Sequence, residues 1–183
     1  AIGEGESILC DLAARLDAPE TVAGLVRREA DGSVVRNPAA LKPTDLDALP
    51  WPVRKHPPDR YLGLPIANML SSRGCTHACA FCSIAAWHRL CGGPRFRMRR
   101  VDNLGGEISS LYGQGYRSFN FHDDNFFLHD TRGMTARMNA LSAGLERLNV
   151  GRIAFAVKAR PGAIDPELLA SMKKLGLFRV FVG

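Results

Sequence analysis

Two hydrophobic periods alternate along the second half of the chain. Apolar residues recur at every second position in "RSFNFH" and "RIAFAVKAR", which is typical of strands, and at helical spacing in "TRGMTARMNALSAGLERL" and "DPELLASMKKLG". Strands that alternate with helices predict parallel strands joined by right-handed crossovers. Over residues 64–183 the pattern predicts four parallel strands and three helices. That is about half of a (β/α)₈ barrel, so the predicted fold class is α/β.

Residues 1–36 carry shorter patterns. In "AIGEGESILCDLAARL" a glycine turn precedes a predicted helix, whose apolar stripe consists of Ile8, Leu9, Leu12 and Leu16. Further along, Asp31 and Gly32 separate two short β-prone runs. Such a pair predicts a hairpin with a two-residue turn, because glycine adopts positive φ without penalty.

A proline-rich stretch separates these two parts of the chain. Seven of the eleven prolines lie between Pro38 and Pro65. Proline fixes φ and removes an amide donor, which excludes a central strand or a long helix there. We expect an extended linker that Trp51 and Tyr61 attach to a neighbouring surface. The predicted boundaries are therefore residues 1–36, a Pro-rich linker at 37–63, and a half-barrel at 64–183.

The composition excludes several classes of protein. No apolar run approaches the roughly 20 residues that a membrane span requires, and no signal peptide opens the chain. Five cysteines, three of them crowded together, do not fit a secreted disulfide framework. We therefore expect a cytoplasmic protein without a membrane partner. Because the first residue is Ala1, we also expect the chain to be part of a longer one.

The net charge of +6 comes partly from one dense run, "PRFRMRR", which contains Arg95, Arg97, Arg99 and Arg100. Such a run can bind nucleic acid. A solvated loop or a site for one anionic ligand are the alternatives, and we do not expect a nucleic-acid partner.

The strongest chemical signal is the cluster Cys75-x3-Cys79-x2-Cys82, which directly follows the first predicted barrel strand. In a (β/α)₈ barrel that position is the C-terminal mouth, where active sites lie. Structural zinc requires four closed ligands, and Cys91 or His88 could supply the fourth. Alternatively, three cysteines can hold three irons of a [4Fe–4S] cluster and leave one iron open.

The segment "RGCTHACAFCSI", placed after a strand and before a run of βα units, resembles the radical S-adenosylmethionine (SAM) superfamily. The shared motif is CxxxCxxC with an aromatic residue before the last cysteine, here Phe81. The resemblance implies that Cys75, Cys79 and Cys82 bind a [4Fe–4S] cluster whose open iron chelates SAM. It also implies reductive cleavage of SAM to a 5′-deoxyadenosyl radical, with Phe81 against the adenine.

The "GEGE" start, the Asp-Gly hairpin and "LDALPWP" resemble one subgroup of that superfamily, in which a Rossmann-like cobalamin-binding domain precedes the barrel. The resemblance implies that residues 1–36 are the C-terminal end of such a domain. It implies cobalamin as a further cofactor, methyl transfer to an unactivated carbon or phosphorus, a small-molecule substrate, and an electron donor such as flavodoxin or ferredoxin.

Three alternatives to methyl transfer stay open. A radical oxidative cyclisation or rearrangement is known in the same subgroup. A tRNA methylthiotransferase would carry a second cysteine triad before the barrel, whereas only Cys10 precedes Cys75 here. A non-catalytic iron–sulfur or zinc module is the alternative from another class.

Many members of the superfamily carry a Gly-Gly-Glu motif at the end of the second strand, where it contacts the methionine amine. The "GGE" of this chain, at residues 105–107, falls inside a helical pattern instead. The equivalent position is "FNFHDDNFF", where alternation directs Phe119 and Phe121 outward and Asp124 into the barrel mouth. The resemblance therefore makes Asp124, and after it Asp123, the candidate for the methionine ammonium.

The third predicted strand follows the same logic. Phe155 and Val157 face outward, whereas Lys158 and Arg160 face the lumen near its mouth. We expect these two cations to contact the carboxylate of the cofactor, Arg160 in preference to Lys158. A solvated charge at the rim is the alternative.

Overall fold

The computed structural model describes residues 1–40, 45–54, 57–90, 92–127 and 130–183. The chain divides into two compact units: unit 1 contains residues 1–48 and 77–95, and unit 2 contains residues 49–76 and 96–183. These units do not coincide with the predicted boundaries, because residues 37–48 and 77–95 belong to unit 1. The assignment of residues 1–36 to a cobalamin-binding domain stays a prediction.

The described part of unit 1 contains α1 (Gly5–Ala14), a short 3-10 helix (Pro19–Thr21), the hairpin of β1 (Val26–Arg28) with β2 (Val34–Arg36), and α2 (Ile84–Leu90). The predicted stripe of α1 is only partly confirmed. Ile8 is buried, whereas Leu9 and Leu16 are 64% and 71% exposed. The helix ends at Ala14, so Leu16 lies beyond it and does not share its face.

The predicted hairpin is confirmed, but its turn is longer than two residues. The amide of Glu29 donates to the carbonyl of Ser33 at 2.9 Å, which leaves residues 30–32 in the loop. Gly32 has φ of 86° in this loop. A glycine in the left-handed region closes three-residue hairpin loops, and side chains rarely adopt that conformation.

Unit 2 contains a five-stranded sheet and a separate two-stranded ribbon. The strands are β3 (Arg60–Tyr61), β4 (Leu64–Met69), β5 (Ser72–Gly74), β6 (Phe96–Met98), β7 (Ser118–Phe121), β8 (Ala154–Ala159) and β9 (Leu177–Val182). The sheet has the order β3-β4-β7-β8-β9, in which β4, β7, β8 and β9 are parallel. The ribbon, β5 with β6, flanks the cysteine loop in sequence. The helices are α3 (Val101–Gly113), α4 (Thr131–Arg147) and α5 (Pro166–Leu175).

This order confirms the predicted α/β class: four parallel strands alternate with three helices. Strand alternation also places the side chains as predicted. Phe119, Phe121, Phe155 and Val157 are buried in one core with the apolar faces of α3, α4 and α5. A buried side chain of this size contributes about 1.5–3 kcal/mol to folding. Lys158, on the opposite parity of β8, is exposed.

Capping residues in the sequence set the ends of two helices. Asp130 caps α4 by accepting hydrogen bonds from the amides of Arg132 and Gly133, and Asp165 caps α5 by accepting from the amide of Leu168. Gly176 ends α5 with φ of 119°, in the left-handed region. These caps satisfy amides and carbonyls that helix ends leave unpaired.

Gly176→Ala is expected to destabilise the protein by about 1–3 kcal/mol. An added Cβ would lie 2.1 Å from the carbonyl oxygen of Ile153, and the residue also has positive φ. Gly113→Ala is the matched control, because an added Cβ there meets nothing within 4 Å. Denaturant unfolding followed by circular dichroism compares the two. Equal midpoints for both variants would contradict the prediction.

The proline-rich segment is attached to unit 2 through the two aromatic residues that the sequence singled out. Trp51 packs on α3 at Gly106, where an added Cβ would lie 3.0 Å from the indole. The ring of Tyr61 lies 6.1 Å from that of Phe178, and Arg179 donates a hydrogen bond to its hydroxyl. The predicted attachment is confirmed, and Gly106 is explained: a side chain there would displace Trp51.

Candidate functional site

The chain leaves the sheet at the end of β4 and turns into the ribbon that leads to the cysteines. The last ladder contact is made by the amide of His122, which donates to the carbonyl of Met69 at 2.9 Å. Ser71 and Ser72 follow and are buried. Their polar groups need partners inside the protein, because buried amides and hydroxyls without hydrogen bonds are costly.

Asp123, at the end of β7, supplies those partners. Its Oδ1 accepts from the Ser71 amide (2.9 Å), the Ser71 hydroxyl (3.1 Å), the Ser72 hydroxyl (2.5 Å) and the Ser72 amide. The residue is completely buried. Burial raises the pKa of the Asp123 carboxyl above its ordinary value, and the hydrogen bonds from Ser72 and Ser71 only partly oppose this.

Asp124 lies beside Asp123 in the chain but in a different environment. It is exposed, and its Oδ2 accepts a hydrogen bond from the amide of Gly74 at 3.0 Å. Two consecutive carboxylates therefore hold the two ends of β5, the strand that directly precedes Cys75. Of the two candidates for the methionine ammonium, only Asp124 is accessible to a ligand.

A second polar cluster holds the same turn from the side of α3. The Arg99 side chain donates to the carbonyl of Leu70 (3.0 Å) and to Glu107 (2.6 Å), and its amide donates to the carbonyl of Ser71 (2.9 Å). Glu107 is buried, and it also accepts from Arg54 at 2.8 Å.

The contacts of this cluster explain two features of the sequence, the "GGE" segment and the arginine run. The "GGE" segment is helical, as predicted: Gly106 accommodates Trp51, and Glu107 binds two arginines. The run "PRFRMRR" is not a uniformly solvated loop, because Arg99 is only 9% exposed and is paired with Glu107. Within the run, Arg99 is paired with Glu107 inside the protein, whereas Arg95 and Arg100 are exposed.

Polar side chains also lie on the face of the sheet opposite the helices. His122 Nε2 is 3.0 Å from Asn68 Oδ1 and 2.9 Å from Asn120 Nδ2. Lys158 is exposed, and Arg160, one residue beyond β8, is partly exposed. The predicted lumen positions of Lys158 and Arg160 agree with this exposure, whereas their contact with a cofactor stays a prediction.

The remaining cysteines lie in unit 1. The amide of Cys82 donates to the carbonyl of Cys79 at 3.1 Å, so these two residues share one turn, and α2 begins at Ile84. Phe81, inside that turn, is 93% exposed. Of the two candidates for a fourth zinc ligand, His88 is buried in α2, and Cys91 lies outside the described residues.

The donor set fits an iron–sulfur cluster. Cys75, Cys79 and Cys82 are thiols, and all three are partly exposed. In the described part of the chain, no three His, Cys, Asp or Glu side chains converge on a position for a single metal ion. In a [4Fe–4S] cluster each cysteine binds a different iron, so the three thiolates surround one cube rather than meet at a single ion.

Sequence reasoning missed α2, the ribbon of β5 and β6, and the roles of Ser71, Ser72, Arg99 and Glu107. One available signal was the position of Ser71 and Ser72. Two small hydroxyl residues at the end of a buried strand must find partners where that strand leaves the sheet, and a carboxylate at the end of the neighbouring strand is the natural acceptor.

Residues 69–183 match the family described as the Radical SAM superfamily. The chain belongs to the radical SAM superfamily. The matched region begins at the last residue of β4 and includes the three clustered cysteines. It also includes Asp123, Asp124, Lys158 and Arg160, so every predicted site residue lies within the radical SAM region. Among the described residues, no helix is both long and apolar enough to cross a bilayer.

Two curated relatives match 99% of this radical SAM chain. One is an uncharacterised methyltransferase from Pyrococcus horikoshii, 27% identical, of which the chain covers 39%. The other is the anaerobic magnesium-protoporphyrin IX monomethyl ester cyclase from Rubrivivax gelatinosus, 26% identical, of which it covers 33%. The chain thus spans less than half the length of either relative.

Two solved structures share its fold. The radical SAM methyltransferase TsrM from Kitasatospora setae, with tryptophan substrate and a SAM analogue bound, matches 100% of this chain and 36% of its own, with a TM-score of 0.67 and 22% identity. The cobalamin-dependent radical SAM enzyme OxsB, with aqua-cobalamin and SAM bound, matches 99% of this chain and 27% of its own, with a TM-score of 0.66 and 19% identity.

Proposed function

We propose that the protein is a radical SAM enzyme that performs cobalamin-dependent methyl transfer on a small-molecule substrate. Cys75, Cys79 and Cys82 would hold a [4Fe–4S] cluster, which supplies, when bound, the electron for reductive cleavage of SAM. The observation that carries this proposal is the set of three thiols at the family spacing, inside the region that matches the superfamily. An electron donor such as flavodoxin or ferredoxin and a cytoplasmic location belong to the proposal.

The chain's own residues would bind and orient SAM. The Asp124 carboxylate is exposed and anionic, which suits the methionine ammonium. Lys158 and Arg160, cations at and just beyond the end of β8, suit the methionine carboxylate. Phe81 presents a ring that is 93% exposed, so it can cover an adenine and exclude water from it.

Methyl transfer is favoured over other radical reactions by two similarities. The relative from Pyrococcus horikoshii is named a methyltransferase. TsrM, which has the higher TM-score of the two solved structures described above, is also described as a methyltransferase. Cobalamin as the methyl carrier is supported by the OxsB structure, which is described as cobalamin-dependent. Oxidative cyclisation is the second candidate function, and the similarity to the Rubrivivax gelatinosus cyclase favours it.

Anaerobic reconstitution of the whole protein tests the cluster. We expect about four irons and four sulfides per chain, together with a change in the visible and electron paramagnetic resonance spectra when SAM is added. Stoichiometric zinc with no response to SAM would contradict the proposal and favour a structural metal module.

A labelled cofactor separates the two candidate reactions. With SAM that carries a ¹³C-methyl group, methyl transfer places the label in the product. Cyclisation leaves the product unlabelled. Release of 5′-deoxyadenosine does not separate the two reactions, because the proposed methyl transfer also uses reductive cleavage of SAM. Cobalamin that remains bound to the purified whole protein, read from its absorbance, supports the methyl-transfer branch, and its absence under cobalamin-supplemented expression contradicts it.

A further inference from the structure

Every described backbone contact of the turn at residues 70–72 is made to a side chain or strand that lies far away in the sequence. The amides of Ser71 and Ser72 donate to Asp123, and the carbonyls of Leu70 and Ser71 accept from Arg99. The turn therefore has one anchor at the end of β7 and another at the start of α3. Cys75 follows only three residues after Ser72.

We propose that Asp123 is a positioning residue for the cluster: by holding Ser71 and Ser72 on one carboxylate oxygen, it sets the path of the chain that presents Cys75. The presence of the cluster rests on the proposed function. The claim that Asp123 holds the turn rests only on the hydrogen bonds to Ser71 and Ser72. Asp123 touches neither cofactor nor substrate in this assignment, because it is completely buried.

The distribution of contacts between the two carboxylate oxygens supports a positioning role. All four donors converge on Oδ1, whereas the buried Oδ2 has no hydrogen-bond partner among the described residues. Four donors on a single oxygen, two amides and two hydroxyls from consecutive residues, define the direction of that segment. One lost acceptor would leave all four without a partner.

The second anchor makes the expected effect local. Arg99 holds the carbonyls of the turn and is itself paired with Glu107, so residues 70–72 stay attached to α3 when Asp123 is removed. We expect the segment from Ser71 to Cys75 to open more often while the sheet and helices of unit 2 stay intact. Local opening of this kind is measurable by amide hydrogen exchange.

Three variants of the whole protein test the inference. Asp123→Ala removes the acceptor, and Asp123→Asn keeps an acceptor oxygen while its amide nitrogen replaces the Oδ2 atom that makes no hydrogen bond. Asp130→Ala is the control, since it removes a carboxylate that caps α4 and does not contact the turn. Exchange in peptides covering residues 70–76 is measured before reconstitution, in cluster-free protein. After reconstitution, the rate of iron loss to a chelator and the electron paramagnetic resonance spectrum of the reduced cluster are measured.

For Asp123→Ala we expect exchange in residues 70–76 and the rate of iron loss each to rise about tenfold or more, with a broadened resonance spectrum. Asp123→Asn should restore all three readouts to near the wild-type values, and Asp130→Ala should leave them unchanged. Wild-type exchange in Asp123→Ala, or an equal rise in Asp130→Ala, would overturn the inference.

Two further outcomes are distinguishable. If the wild-type protein binds no cluster, the proposed function fails, but the exchange experiment on cluster-free protein still decides whether Asp123 holds the turn. If Asp123→Ala does not fold, Ser71→Ala combined with Ser72→Ala removes two of the four donors and keeps both amides. If amide exchange in residues 70–76 of this double variant rises above the wild-type rate by less than tenfold, the inference is supported. If the exchange rate equals that of the wild type, the inference is overturned.

Discussion

Glu107→Ala is expected to destabilise the protein by about 3–5 kcal/mol, because it removes the shared partner of two buried or nearly buried cations. The Glu107 side chain is 2% exposed, and those of Arg99 and Arg54 are 10% and 16% exposed. Without the carboxylate, the two guanidinium groups would lie close together in a desolvated environment, with no counter-charge from the part of the chain that the structure describes. Denaturant unfolding of the whole protein, followed by circular dichroism, measures the loss.

Two variants make the Glu107 result specific. Glu146→Ala removes an exposed carboxylate from α4 and should change the free energy of unfolding by no more than about 0.5 kcal/mol. Glu107→Gln keeps the shape and one acceptor oxygen but loses the charge and the second acceptor, so its effect should lie between those of the two alanine variants. If Glu107→Ala were as mild as Glu146→Ala, the ion pairs would contribute nothing measurable to stability.

Replacement of any one of Cys75, Cys79 or Cys82 with alanine is expected to abolish stable binding of the cluster and the spectral response to SAM. In the proposed cluster each thiolate would hold a different iron, so the loss of one would leave a second iron without a protein ligand. Iron and sulfide per chain after anaerobic reconstitution, compared with about four of each in the wild type, measure the effect.

Two other cysteines serve as controls for this experiment. Cys10 is exposed on α1, and Cys10→Ala should retain the full iron content. Cys91→Ala distinguishes the cluster from zinc, because a four-ligand zinc site that uses Cys91 would lose its metal. A protein that keeps four irons after Cys79→Ala, or loses them after Cys91→Ala, would require a different ligand set.

Helix and strand patterns were the most predictable part of this protein. The three helices of unit 2, the caps at Asp130 and Asp165, and the outward direction of Phe119 and Phe155 follow from local period and punctuation. Such signals depend on residues within one or two turns of each other, so they can be read without knowledge of the fold. The same local logic correctly placed the "GGE" segment inside a helix.

The candidate site was predictable only in part. Alternation along β7 identified Asp124 as the accessible carboxylate, but it left the role of Asp123 undecided. Its partners, Ser71 and Ser72, are 52 and 51 residues away in sequence. The charge run "PRFRMRR" gave no sign that Arg99 would be buried, because its counter-charge, Glu107, is on the following helix.

From sequence alone, the α/β class, the alternation of four parallel strands with three helices in unit 2 and the family motif of three cysteines were determined, because period and spacing are local properties of the chain. Only the tertiary structure decided which carboxylate is buried, which arginine is neutralised and what holds the entrance to the cysteine loop. The physical reason is that a buried polar group must be paired, and its partner is whichever distant residue the folded backbone brings within hydrogen-bonding distance.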